Sequence, residues 1–191
     1  MSKALIVYGT RYGATANTSE VIADNLRQVG YEVKIVDAKK EKVQSINEYN
    51  LIIVGSGIQM GKWTSEPEDF IKKHQKELAT KKLALFVSCG GANPLSEGEK
   101  KNKELDDAKR KYLEDKSVEF KVNPVALGFF GGCYDFNKMP WFFKKTLSSI
   151  KPKLESAGYK ESKAGVYDLR NLDAIRDWTK EVAKTVNSQL E

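Results

Sequence analysis

Hydrophobic residues in this chain gather in five short runs that are separated by longer amphipathic stretches. The runs are "ALIVYG" at 4–9, "EVKIVDA" at 32–38, "LIIVGSG" at 51–57, "LALFVSCG" at 83–90 and "PVALGFFGG" at 124–132. Most of them are almost continuously apolar, which is typical of strands in a parallel sheet that is covered on both faces. The pattern therefore predicts five buried β-strands.

Between these runs, apolar residues recur at the spacing of a helix. Helices are predicted over residues 14–29, 66–79, 139–156 and about 171–190, and a charged helix is predicted after residue 96. Gly30 is expected to end the first helix in the left-handed conformation. Ser65 with Glu68, and "SEGE" at 96–99, match the capping-box pattern. Residues 39–49 are ambiguous, and we expect a loop with a short helical turn there.

The regular alternation of strands and helices indicates an α/β fold. Strand–helix repeats imply parallel strands joined by right-handed crossovers. We expect a doubly wound five-stranded parallel sheet of order 2-1-3-4-5, in one domain that spans residues 1–191. An extra segment, an insertion at about residues 133–170, lies between the fifth strand and the last helix.

Composition narrows the classes of function. The chain has 191 residues, two cysteines, one histidine and a net charge of +6. One histidine and two distant cysteines give little support to a metal site or a Ser/His/Asp triad. The positive charge favours acidic partners, but the lysines are too dispersed for a nucleic-acid stripe. Because no apolar run approaches roughly 20 residues and no signal peptide is evident, we expect a cytoplasmic protein.

The stretch "YGTRYGATANT" at 8–18, directly behind the first strand, is suited to bind an anion. Backbone amides, a helix N-terminus and the hydroxyls of Thr10 and Thr15 together favour a phosphate. The loop lacks the lysine of a nucleoside-triphosphate loop and the Gly-x-Gly-x-x-Gly of a dinucleotide site, and no receiver-type acidic cluster stands at the strand ends. A terminal monophosphate, such as that of FMN, fits the loop.

"TRYGAT" resembles the phosphate loop of flavodoxins, with Tyr12 where threonine is common in that family. Within the superfamily, the chain is more similar to the flavodoxin-like quinone-dependent protoporphyrinogen dehydrogenases. That resemblance depends on "GSGIQMGKW" at 55–63, "FIKKH" at 70–74 and the aromatic, basic segment after the fifth strand. It implies a flavodoxin-like fold and an FMN site.

The resemblance implies that three loops at strand ends hold the FMN. The phosphate loop, residues 10–15, would hold the phosphate, the second loop would follow the isoalloxazine, and the third loop would meet its pyrimidine edge. The expected contacts are Thr10, Arg11, Tyr12, Gly13, Ala14 and Thr15, then Ser56, Gly57, Ile58, Gln59, Met60, Gly61 and Trp63, then Ser88, Cys89, Gly90, Gly91 and Asn93. Since the third loop has no nearby aromatic residue, we expect a half-open or backbone-lined flavin. No catalytic side chain or metal ligand is assigned.

Some features keep two or more interpretations. Trp63 suits core packing and flavin contact equally well. The segment "KMPWFFKK" at 138–145 suits a helix start wedged against the sheet edge, a homodimer contact, an aromatic lid on the flavin, or peripheral contact with anionic lipid on the inner membrane face.

Three functions are consistent with the sequence. The first is an FMN-binding electron carrier with acidic redox protein partners. The second is an FMN-dependent oxidoreductase that oxidises a tetrapyrrole or reduces a quinone, with Arg11, Lys62 and Lys138 available for substrate carboxylates. The third is a non-catalytic domain that uses the fold for protein contacts. The electron carrier is the favoured prediction.

Overall fold

The central element of the computed structural model, which describes residues 2–138 and 150–188, is a parallel sheet. Its five parallel strands are β1 (Lys3–Gly9), β2 (Glu32–Asp37), β3 (Leu51–Gln59), β5 (Lys82–Cys89) and β6 (Ala126–Gly131). Their spatial order is β2-β1-β3-β5-β6, and the two-residue strand β4 (Lys62–Trp63) pairs antiparallel with β3. Counting the parallel strands alone, this is the predicted order 2-1-3-4-5.

Helices cover both faces of the sheet. They are α1 (Ala14–Gln28), α2 (Ser65–Lys73), α3 (Gln75–Leu78), α4 (Gly98–Lys109), α5 (Asp115–Phe120), α6 (Ile150–Ser156) and α7 (Leu172–Asn187). A π-helical segment, Arg110–Glu114, joins α4 to α5. The helix predicted over residues 66–79 is divided at His74, and residues 39–49 form turns without a helix.

The predicted helix ends are partly confirmed. Gly30, at φ 90°, follows α1 in the left-handed conformation, and its amide donates to Arg27 O at 3.0 Å. Both capping boxes are wrong: the N-caps of α2 and α4 are Thr64 and Glu97, and neither side chain caps its helix. Thr64 is occupied elsewhere, because its hydroxyl lies 3.2 Å from Ser56 Oγ.

Alternation along the strands divides the core into two layers. Leu5, Val7, Ile52, Val54 and Leu85 face one layer, together with Phe70 and Ile71 of α2 and Leu113 of the π-helical segment. The other layer contains Ile6, Ile53 and Phe86 with side chains of α1 and α7, among them Ile22, Leu26, Ile175 and Val182. Burial on both faces explains why the strands are almost continuously apolar in sequence.

The segment between β6 and α7, which we call the extension (residues 133–170), contains a second small sheet. Strand β7 (Cys133–Asp135) pairs antiparallel with β8 (Val166–Asp168), and α6 adds Leu154 to a small apolar cluster with Tyr167 and Leu169. Of the helix predicted over 139–156, only the part from residue 150 lies in the described residues, and most of "KMPWFFKK" lies outside them. Among the described residues, no helix combines the length and apolar character needed to cross a bilayer.

Candidate functional site

A cleft opens beyond the carboxyl ends of β1, β3, β5 and β6. In the register of the sheet, Gly9 lies opposite Ser56, and Gly57 lies opposite Ser88. The three predicted loops therefore begin at the same edge. The cleft has a volume of about 290 Å³ and is lined by Thr10, Arg11, Tyr12, Ala14, Thr15, Gly57, Ile58, Gln59, Met60, Ser88, Cys89, Gly90, Gly132, Cys133 and Tyr134. Twelve of these fifteen residues were predicted from the sequence.

The phosphate loop is closed by its own backbone and hydroxyl groups. Gly13, the N-cap of α1, has φ 97°, a conformation that favours glycine, and its amide donates to Thr10 Oγ1 at 2.9 Å. Thr15 is 1% exposed yet contributes to the cleft lining. A Cβ on Gly57 would lie 3.1 Å from Thr15 Oγ1, so the second loop passes closely over the first. Hydroxyls and a helix N-terminus thus meet at one end of the cleft.

Arg11 is the one cation within the phosphate loop, and it is held by a carboxylate. Its guanidinium contacts both oxygens of Glu66 in α2 at 3.1 Å. Burial is the largest single influence and raises the pKa of the Glu66 carboxyl, but the hydrogen bond from Arg11, a backbone hydrogen bond and the positive charges of Arg11 and Lys39 together outweigh it, and the pKa lies below its ordinary value. The two-point contact fixes Arg11 at the edge of the cleft and keeps Glu66 charged.

The second loop is a tight hairpin between β3 and β4. Met60 (φ 51°) and Gly61 (φ 74°) are its two turn residues, and two positive φ angles in succession are the signature of a type I′ turn. Met60 is 82% exposed at the tip. Ser56 is buried at the base, where its hydroxyl accepts from Thr64 N at 3.0 Å and donates to Gly57 O at 2.9 Å.

Trp63 lies in the core rather than in the cleft lining. It is 5% exposed, its ring packs edge-on against Phe120 at 5.9 Å, and its Nε1 donates to Tyr112 O at 2.7 Å. Of the two interpretations of this residue, the structure supports core packing. The indole hydrogen bond joins the second loop to the π-helical segment.

The third loop turns sharply after β5. Cys89 is extended, Gly90–Ala92 form a 3₁₀ turn, and Asn93 N donates to Gly90 O at 3.0 Å. Burial raises the pKa of the Cys89 thiol to about 11, against which two backbone hydrogen bonds act only weakly. The thiol is therefore neutral at ordinary pH.

Several predicted contacts lie beside the cleft instead of lining it. Gly13 and Ser56 shape the first and second loops from behind, and Gly61 is at the hairpin turn. Gly91 faces α4, because a Cβ there would lie 3.4 Å from the Cβ of Ala108. Asn93 turns to the extension, where its Nδ2 donates to Tyr159 OH at 3.1 Å.

One wall of the cleft was not predicted from the sequence. Gly132, Cys133 and Tyr134 follow β6 directly and line the cleft together with the three predicted loops. Tyr134 supplies an aromatic ring to the cleft beside the third loop, which has none of its own. Their position could have indicated that they line the cleft, because they follow a strand that ends at the same sheet edge as the strands before the three predicted loops.

Comparisons with known proteins agree with this architecture. A family model described as "Flavodoxin domain" matches residues 5–162. The chain is similar to the protoporphyrinogen IX dehydrogenase [quinone] of Escherichia coli K12, with 22% identity over 177 residues that cover 92% of this chain and 88% of the relative. The enzyme of the same name from Leishmania major is 25% identical over 169 residues, which cover 86% of this chain and 68% of that protein.

A solved structure supports the same fold. It is a short-chain flavodoxin associated with a non-canonical PDU bacterial microcompartment, with a TM-score of 0.54 and 14% identity. The match covers 97% of this chain and 99% of that one. The predicted fold and the predicted family resemblance are both confirmed, and the chain belongs to the flavodoxin domain family.

Proposed function

We propose that this protein binds FMN in the cleft and transfers electrons through it. The observation that carries the proposal is the meeting of three loops in one cleft, with a hydroxyl-rich turn and the N-terminus of α1 at one end. The hydroxyls of Thr10 and Thr15 and the amides at the start of α1 would hold the phosphate, in a turn that the Gly13 amide closes by donating to Thr10 Oγ1. Gly57 and Gly90 line the cleft and would present main-chain groups to a flat ring, while Thr15 and Tyr134 lie where their side chains would project. Bound FMN would supply the redox chemistry.

The charges of the cleft suit this role. Among the residues that the structure describes, the lining contains no carboxylate, and its one permanently charged side chain is the cation Arg11. Burial raises the pKa of the Tyr134 phenol, and burial with Asp168 nearby raises the pKa of the Cys133 thiol, so both groups are neutral near pH 7. A lining without anions does not oppose the negative charge that accumulates on reduction. Positioning and electrostatics, rather than a side-chain acid or base, would be the contribution of the protein.

A second candidate function is an FMN-dependent oxidoreductase of the protoporphyrinogen IX dehydrogenase (quinone) type. The observation that favours it is the similarity to proteins of that name over most of both chains. The extension forms one wall of the cleft here through Cys133 and Tyr134. In this function Arg11, Lys62 and Lys138 would meet the carboxylates of a tetrapyrrole, and a quinone would accept the electrons.

The absorption spectrum of the purified protein, followed by a redox titration, tests the cofactor. A yellow protein with one FMN per chain supports the proposal, whereas a protein that stays colourless and does not take up added FMN refutes it. A non-catalytic domain is then the remaining interpretation.

Anaerobic mixing distinguishes the two redox functions. Bleaching of the flavin band by protoporphyrinogen, at a rate that saturates with its concentration, supports the oxidoreductase and rejects the pure carrier. Rapid exchange with ferredoxin-type proteins and no reaction with the tetrapyrrole supports the carrier. Because the net charge is +6, we expect an acidic redox partner and a rate that falls as salt is added.

The segment at 138–145 is the basis for two proposals, a contact with the membrane surface and a homodimer. We propose that its tryptophan, phenylalanines and lysines give the protein a peripheral contact with anionic lipid. Flotation with anionic liposomes, comparing the natural chain with Trp141→Ala/Phe142→Ala, tests this. Equal flotation of the two proteins rejects it, and sedimentation of the same pair tests the homodimer.

A further inference from the structure

We infer that Lys138 is a phosphate ligand of the cleft, delivered to the phosphate loop by the extension. The inference rests on the proposed binding of FMN and deepens it. It assigns the extension a role in cofactor binding. It also places a second cation beside the phosphate loop, residues 10–15, in which Arg11 is the only cationic residue.

The position of the Lys138 ammonium is the first observation. A Cβ built on Gly13 would lie 3.8 Å from Lys138 Nζ, so the ammonium faces the residue that begins α1. The side chain of Lys138 is 60% exposed, which leaves room for another partner. The first turn of α1 contains no acidic residue that would compete for this cation.

The extension fixes this position through its main chain. Lys138 N donates to Asp135 O at 3.2 Å, and Asn137 N donates to Asp135 Oδ1 at 3.1 Å, which closes a tight turn after β7. Phe136 N donates to Gly165 O at 2.9 Å, and Asn137 Nδ2 donates to Ala164 O at 2.9 Å. The turn that carries Lys138 is thus anchored by two hydrogen bonds to the residues that lead into β8.

A buried carboxylate orients the lysine side chain. Asp135 Oδ2 lies 3.3 Å from Lys138 Nζ, and the Asp135 side chain is 7% exposed. An ammonium group has three donors, so this contact leaves donors for a phosphate oxygen. Asp135 therefore orients the Lys138 side chain and leaves part of its N–H donors free for a phosphate.

The negative charge of the phosphate favours a second cation beside the loop. A phosphate monoester carries about −1.5 to −2 at pH 7. Arg11 already shares its charge with both oxygens of Glu66. The ammonium of Lys138, beside Gly13, would complete the neutralisation of the anion.

Titrations of the apoprotein with FMN and with riboflavin, which lacks the phosphate, test the inference. Lys138→Met retains the aliphatic stem and removes the charge. It should weaken FMN binding about tenfold, leave riboflavin binding unchanged and make FMN binding less sensitive to salt. Lys163→Met, a change of the same type in the extension but at a bridge to Val166 and not beside Gly13, should bind both ligands as the natural chain does.

Three outcomes would count against Lys138 as a phosphate ligand. They are unchanged FMN binding by Lys138→Met, an equal loss for FMN and riboflavin, and the same loss in Lys163→Met. The first is the result expected if Lys138 serves a substrate carboxylate instead.

Inorganic phosphate separates this inference from the proposed function. If the natural chain binds no FMN but phosphate raises its Tm, and Lys138→Met loses that rise, the anion site stands and the cofactor assignment fails. If phosphate raises the Tm of both proteins equally, or of neither, in a chain that binds no FMN, the inference fails as well.

Discussion

The hydroxyl of Tyr134 occupies the space into which a side chain at residue 90 would project. A Cβ built on Gly90 would overlap the Tyr134 hydroxyl oxygen and lie 2.9 Å from its ring carbon Cζ. Tyr134 belongs to β7 in the extension, whereas Gly90 opens the third loop behind β5. The contact makes the extension one wall of the cleft and explains why the third loop needs glycine at that point.

Gly90→Ala is expected to lower the free energy of unfolding by about 1–3 kcal/mol, since the new methyl must displace the partly buried ring of Tyr134. FMN affinity should fall as well, because Tyr134 lines the cleft. Urea unfolding and FMN titration measure the two effects.

The same substitution in a Tyr134→Phe background provides the control. Removing the hydroxyl relieves the closest overlap, so in this background Gly90→Ala should lower the free energy of unfolding by at least about 1 kcal/mol less. Equal costs in both backgrounds would show that Tyr134 does not restrict residue 90.

A second prediction concerns Trp63. Trp63→Phe should lower the free energy of unfolding by about 1–3 kcal/mol more than Trp178→Phe, because Tyr112 O loses its donor. Trp178 is the matched control: its ring also packs against aromatic residues, and its Nε1 has no hydrogen-bond partner among the residues that the structure describes. Both variants should bind FMN nearly as the natural chain does. A large loss of FMN affinity in Trp63→Phe at unchanged stability would instead place Trp63 on the cofactor.

The strands and the phosphate loop were predictable because their determinants are local. Burial of strands such as β3 on both faces requires a continuous apolar run, and the loop at Thr10 needs only a strand, a glycine turn and a helix in succession. Tyr134 was not predictable in this way. Its place depends on the return of the chain as β7 beside a loop more than forty residues earlier, and no sequence period records that contact.

The errors at helix ends have a comparable cause. Ser65 fits a capping box in sequence, yet the helix begins one residue earlier than that pattern requires. The hydroxyl of the true N-cap, Thr64, is engaged by Ser56 at the base of the second loop. A tertiary hydrogen bond therefore outweighs the local capping preference, and it does so beside the cleft.

A third prediction follows from the buried thiol of Cys89. Its pKa is raised from 9.0 to about 11 in the fold. Between those pH values the unfolded chain releases the thiol proton and the folded chain retains it, so the free energy of unfolding should fall as pH rises. The slope from this group is at most about 1.4 kcal/mol per pH unit. Urea unfolding from pH 8 to 10.5 measures it.

Cys89→Ala isolates that contribution, because tyrosines and lysines titrate in both proteins. Above pH 9 the stability of the variant should decline less steeply than that of the natural chain. Parallel declines would show that the thiol ionises equally well in the folded and unfolded states.

The last prediction compares the glycines at the two ends of α1. Gly13 and Gly30 have φ angles of 97° and 90°, so alanine at either position should cost about 1–2 kcal/mol of folding free energy through the same backbone strain. Their surroundings differ: a Cβ at Gly30 would meet no atom within 4 Å, whereas one at Gly13 would project from the phosphate loop toward Lys138. Gly13→Ala should therefore reduce FMN affinity at least tenfold beyond any change in Gly30→Ala, while thermal unfolding of the two apoproteins stays nearly equal. Equal FMN affinity in the two variants would remove the phosphate from this end of α1, because the strain they share would then account for the entire effect.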